Sequence, residues 1–104
     1  MTKNKLDRVL KWVNRVRADN GLKPLKKLPI GMTRSITTCP ISKAISRECS
    51  TYGNSCAFVD TFGETVEIPT PLYVQDFIEE VDQHSGYVNP YKLPTRKRSK
   101  AEWL

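Results

Sequence analysis

The sequence is short of the residues on which most enzyme chemistry depends. It has one histidine, His84, in 104 residues. A general base there needs a nucleophile beside it. Cys39 or Cys49 could pair with His84, but no nucleophile-elbow glycine pattern or oxyanion-hole signature accompanies either. The five glycines, Gly21, Gly31, Gly53, Gly63 and Gly86, are scattered, which excludes a phosphate-cradling glycine loop. The acids Glu64, Glu67, Asp76, Glu79, Glu80 and Asp82 are spaced neither as a calcium loop nor as a glycosidase pair. Apolar runs are too short for a transmembrane helix. The N-terminus leads into an amphipathic pattern rather than an apolar signal segment. These absences predict a protein that is not an enzyme, with no cofactor, no small-molecule substrate and no membrane partner.

Cysteine is also scarce. The three residues Cys39, Cys49 and Cys56 are an odd number, which argues against a secreted disulfide scaffold and for a reducing cytoplasm. Their spacings of 10 and 7 are not the close pairs of structural zinc sites. A Cys₃His site with His84 would need convergence in space, so buried free thiols are the expectation.

Charge is present in quantity, in blocks. The net charge is +6. Residues 1–34 hold ten Lys and Arg against Asp7 and Asp19. Residues 57–86 hold seven acids and no Lys or Arg, and residues 87–104 hold five bases against Glu102. Such blocks suit polyanion binding, a partner of complementary charge, or pairing of the two halves within the chain.

Hydrophobic periodicity places the elements. Leu6, Val9, Leu10, Val13 and Val16 mark one face of a helix over residues 5–19, with Asn20-Gly21 as its stop. Pro24 and Pro29 make residues 22–37 a loop, long enough that it should be pinned down or functional. Thr38-Cys39-Pro40 reads as a second helix start, capped by Thr38 and ending near Cys49. Ala57-Phe58-Val59 and Thr65-Val66-Glu67-Ile68 read as a hairpin turning through Gly63. Thr70-Pro71 opens a third helix whose stripe is Tyr73 or Val74, then Phe77, Ile78 and Val81. The predicted fold is α+β, a small single domain ordered α-loop-α-β-β-α, with one β-hairpin packed on helices. The compact domain is residues 1–86, and residues 87–104 are a flexible basic tail. The expected core is Val9, Leu10, Val13, Val16, Ile41, Ala44, Ile45, Phe58, Val66, Val74, Phe77, Ile78 and Val81.

Two kinds of partner fit this layout. For DNA, Arg8, Lys11, Arg15, Lys23, Lys26 and Lys27 would contact phosphates. Ser42, Lys43 and Arg47 would lie on a second helix that looks like a recognition helix. Arg96, Lys97 and Arg98 of the tail would follow the backbone or a minor groove. Against this, the 16-residue stretch between the first two helices far exceeds a helix-turn-helix turn. For a protein partner, the charge-divided surface and the aromatics Trp12, Tyr87, Tyr91 and Trp103 would serve, and a homodimer is one form of it.

Several segments carry a resemblance: Trp12-Val13-Asn14, Asn20-Gly21-Leu22-Lys23-Pro24-Leu25, Leu28-Pro29-Ile30-Gly31, Cys39-Pro40-Ile41-Ser42-Lys43-Ala44-Ile45, and Pro69-Thr70-Pro71-Leu72-Tyr73-Val74 with Phe77-Ile78. Over about residues 6–82 the chain resembles a group of small accessory proteins encoded by phages of mycobacteria and related actinobacteria. The resemblance implies a setting, the cytoplasm of an infected bacterial host cell, and a non-enzymatic role on DNA or on a host factor. It implies no catalytic residue.

Overall fold

The first element of the computed structural model, which describes residues 2–45, 49–52, 54–60 and 62–93, is the helix α1 (Lys3–Asp19). It begins two residues before the expected start at residue 5, because the Thr2 hydroxyl accepts from the Lys5 amide and caps the first turn. It ends where the Leu22 amide donates to the Arg17 carbonyl and the Gly21 amide to the Ala18 carbonyl. That paired closure needs a left-handed residue, and Gly21 supplies it at φ 72°. Leu6, Val9, Trp12, Val13 and Val16 form the buried face.

The loop after α1 is pinned, as its length predicts. Asn14 brackets Leu25, donating to its carbonyl at 3.0 Å and accepting from its amide at 2.7 Å. Leu28 is buried and its amide donates to the Tyr91 hydroxyl at 2.9 Å. A two-residue strand β1 (Gly31–Met32) follows. A Cβ on Gly31 would lie 2.3 Å from the Pro40 nitrogen, so only glycine lets this strand approach the next helix.

That helix, α2 (Pro40–Ile45), buries Pro40, Ile41, Ser42, Ala44 and Ile45. Its cap is Cys39, whose sulfur accepts from the Ser42 amide at 3.4 Å. The predicted cap, Thr38, is instead paired with Ser35 through their hydroxyls. Residues 46–48 lie outside the described residues, and Cys49 leads into the strand β2 (Ser50–Thr51).

Strands β3 (Ser55–Val59) and β4 (Thr65–Pro69) form the predicted hairpin, and β2 joins it in an antiparallel sheet of order β2-β3-β4. Phe58 faces Val66 and Cys56 faces Ile68. The Asp60 carboxylate shapes the turn by accepting from the Phe62 and Glu64 amides, and Gly63 takes φ 80°.

Helix α3 (Leu72–Asp82) starts one position later than the sequence suggests. Thr70 is drawn into the sheet end, its amide donating to the Asn54 carbonyl at 3.1 Å. Pro71 therefore occupies the cap position, and no side chain caps the helix. Val74, Phe77 and Val81 are buried against α1, which packs on both α2 and α3.

Residues 87–93, assigned to the tail from sequence, belong to the folded body. Tyr87–Val88 forms β5, antiparallel to β1 with Gly31 opposite Val88. A short 3₁₀ turn (Pro90–Lys92) follows, capped by the Asn89 side chain, with Pro90 buried. The turn is held because Tyr91 receives the Leu28 amide, a partner that no local pattern reveals. The remaining tail lies outside the described residues.

The architecture is α+β. One continuous core joins the three helices, the sheet and the loop through Val9, Val13, Ile41, Ile45, Phe58 and Phe77. Of the expected core, Leu10, Val66 and Ile78 are only partly buried, and Leu6, Trp12, Leu28, the three cysteines and Val88 are buried in addition.

Candidate nucleic-acid interface

Along α1 the cations Arg8, Lys11 and Arg15 recur at helical spacing on one exposed face. They surround a hollow of about 250 Å³ whose remaining walls are Trp12 and Tyr73. Tyr73 comes from the first turn of α3, and the Arg8 guanidinium lies 4.3 Å over its ring centre. That stacking fixes Arg8 without neutralising it. No carboxylate lines the hollow, and Lys11 and Arg15 form no ion pair among the described residues. Such a site presents positive charge beside aromatic surface, which suits a phosphate oxygen.

The other sequence candidates are distributed differently. Lys23, Lys26, Lys27 and Lys43 are exposed but do not line this hollow. Lys27 sits 5.8 Å over the Tyr91 ring, a second pairing of a cation with an aromatic ring. Arg47, Arg96, Lys97 and Arg98 lie outside the described residues.

Ser42 is a correction. It is fully buried, so it cannot meet a base edge. Its hydroxyl donates to the Ile36 carbonyl and lies 2.7 Å from the Thr51 hydroxyl. Thr51 must then donate to Ser42, because the serine proton is committed to Ile36. The Cys56 thiol donates in turn to Thr51 at 3.7 Å, and the Thr51 amide reaches the same Ile36 carbonyl at 2.8 Å. The result is a buried relay, Cys56 to Thr51 to Ser42 to Ile36, stitching β3, β2 and α2 to the long loop. With Ser42 inside, Lys43 is the exposed residue of α2 among those described, and Ser42 drops out of the recognition-helix reading.

The three cysteines are buried free thiols, as expected. The neighbouring Cys56 side chain lowers the Cys49 pKa, opposed by burial and helped by Thr51 and Ser42. The same contact pushes the Cys56 thiol well above its ordinary range, with burial adding to the effect. Among the described residues, no group of three His, Cys, Asp or Glu side chains is placed to hold a metal ion. His84 stands apart, lining a shallow hollow with Tyr87, Asn89 and Lys92.

Two arginines that sequence reasoning left unassigned are structural. Arg17 donates to the carbonyls of Lys23 and Ala44, clamping the loop and α2 to α1. Arg34, at φ 54°, donates its amide to Asp82 and its guanidinium to the His84 carbonyl, closing the end of α3. Among the described residues one ion pair joins the basic and acidic blocks. Lys5 meets Glu80 at 2.9 Å, a half-buried contact near the surface worth about 0.2–1 kcal/mol. No helix is long and apolar enough to cross a membrane among the described residues.

No family model, curated protein or solved structure matches the chain.

Proposed function

We propose that this chain is a non-enzymatic nucleic-acid-binding module that grips the phosphate backbone through the exposed face of α1. The observation that carries the reading is the hollow of Arg8, Lys11 and Arg15 against Trp12 and Tyr73, cationic on one side and free of carboxylates. Backbone contact fits better than base readout, because α2 buries Ser42 and exposes only Lys43. The proposed setting, the cytoplasm of an infected bacterial host, rests on the sequence resemblance alone.

The test is fluorescence anisotropy of a labelled random duplex, with salt raised from about 50 to 200 mM. Three phosphate contacts give a slope near −2.7 in log affinity against log salt, a loss of about 40-fold over that range. Lys11→Glu with Arg15→Glu abolishes binding. A Lys3→Glu/Lys92→Glu variant of equal net charge retains it. Equal loss in both double variants would reduce the effect to net charge and remove the assigned face. No binding by the wild type at low salt would turn the charge blocks towards the alternative, a modulator of a host protein.

A further inference from the structure

The far end of α1 carries a different surface. The hairpin leaves its inner face uncovered there: Val66 and Ile68 of the edge strand β4 stay only partly buried. With Phe58 and Phe62 they line a hollow of about 340 Å³, rimmed by the carboxylates of Asp19 and Asp60. Phe62, at the hairpin tip, is 88% exposed, an extreme value for a phenylalanine. Immediately beyond Asp19 and Asn20 the chain turns at Gly21 and presents Leu22, 39% exposed, and Lys23. This turn is held in place, since Arg17 grips the Lys23 carbonyl at 2.8 Å while leaving its ammonium exposed. An apolar hollow with an acidic rim thus adjoins an apolar-basic turn on one rigid scaffold.

Adjacent patches of opposite character are what a two-fold axis requires. Each chain offers its turn to the other's hollow, and the same contact is made twice. We propose that this face is the interface of a homodimer, in which Leu22 and Phe62 of each copy fill the apolar hollow and Lys23 of each copy faces Asp19 of the other. Arg17 holds the first turn and the Asp60 carboxylate accepts from the Phe62 and Glu64 amides, so association costs little further loop entropy. Of the cations expected to meet nucleic acid, this surface uses only Lys23, so it stands independently of the reading above.

Sedimentation equilibrium of the full chain across the micromolar range tests it. The expected mass rises with concentration from 11.9 kDa towards twice that value. Phe62→Ser holds the chain at monomer mass with an unchanged circular dichroism spectrum, because the ring has little contact to lose. Lys23→Glu also yields monomer by setting like charges together. Adding Asp19→Lys to Lys23→Glu restores the dimer, with the charges exchanged. A wild type that stays monomeric throughout overturns the proposal. So does a dimer indifferent to Phe62→Ser, or a charge exchange that fails to rescue.

Discussion

Replacing Ser42 by alanine separates a base-reading serine from a structural one. The side chain is fully buried, and its oxygen is the central link of the relay between Thr51 and the Ile36 carbonyl. The substitution removes little volume, so no large cavity term arises. It leaves the Thr51 hydroxyl with only the long 4.0 Å contact to the Cys49 sulfur and deprives the Ile36 carbonyl of one of two donors. An unsatisfied buried polar group costs about 1–3 kcal/mol. For a domain of this size that lowers the melting temperature by roughly 4–8 °C per kcal/mol. Urea unfolding followed by circular dichroism measures the loss, with duplex affinity measured on the same sample. The expected outcome is a clear stability loss at unchanged affinity. A double-mutant cycle sharpens the point. Thr51→Val alone takes the Cys56 thiol's acceptor and one of the donors to Ser42, but Ser42→Ala with Thr51→Val removes both sides of the 2.7 Å contact, so the pair costs less than the sum of the singles. Wild-type stability in Ser42→Ala, or strict additivity in the cycle, would refute the relay.

Other substitutions probe the packing. Phe77→Ala, at a fully buried position on α3, should cost about 3–5 kcal/mol in chemical denaturation. Gly31→Ala drives a methyl group into the Pro40 backbone and should cost about 1–3 kcal/mol, with the β1–β5 amides losing hydrogen-exchange protection first. The thiol pair makes stability depend on pH with two opposite limbs. Cys49, lowered in the fold, adds stability as pH rises towards the ordinary thiol range. Cys56, raised in the fold, holds its proton while the unfolded chain releases it, so stability falls above that range by at most about 1.4 kcal/mol per pH unit. Urea midpoints at stepped pH should pass through a maximum there, and the falling limb should flatten in Cys56→Ala.

Legibility from sequence tracks the range of the interactions. Helix α1 is legible because Leu6, Val9, Val13 and Val16 repeat with the helical period and Asn20-Gly21 closes it. The hairpin is legible because Asp60 and Gly63 make its turn locally. Helix α3 is displaced by one residue, since the bond from Thr70 to Asn54 crosses the sheet and overrides the Thr-Pro signal. The clasp of β1 with β5 leaves no periodic trace, because two residues on each side suffice. The burial of Ser42 is hidden for a related reason: one helical turn with a serine and a lysine looks the same whether the serine faces solvent or Thr51. For the candidate site, spacing alone aligns Arg8, Lys11 and Arg15. Tyr73 joins them only through the packing of α3 on α1, which no local signal encodes.

The bond from Leu28 to Tyr91 also orders events during synthesis. Its partners stand 63 positions apart. At about 5–20 residues per second, the Leu28 amide waits on the order of 3–13 s after its own addition before Tyr91 even exists. Helix α1 can form early and hold Leu25 through Asn14, but the Leu28 amide has no partner until Tyr91 has been added. A nascent chain halted before Tyr91 therefore exposes Leu28 and the apolar stripe beneath it, and that interval is when a chaperone has something to hold.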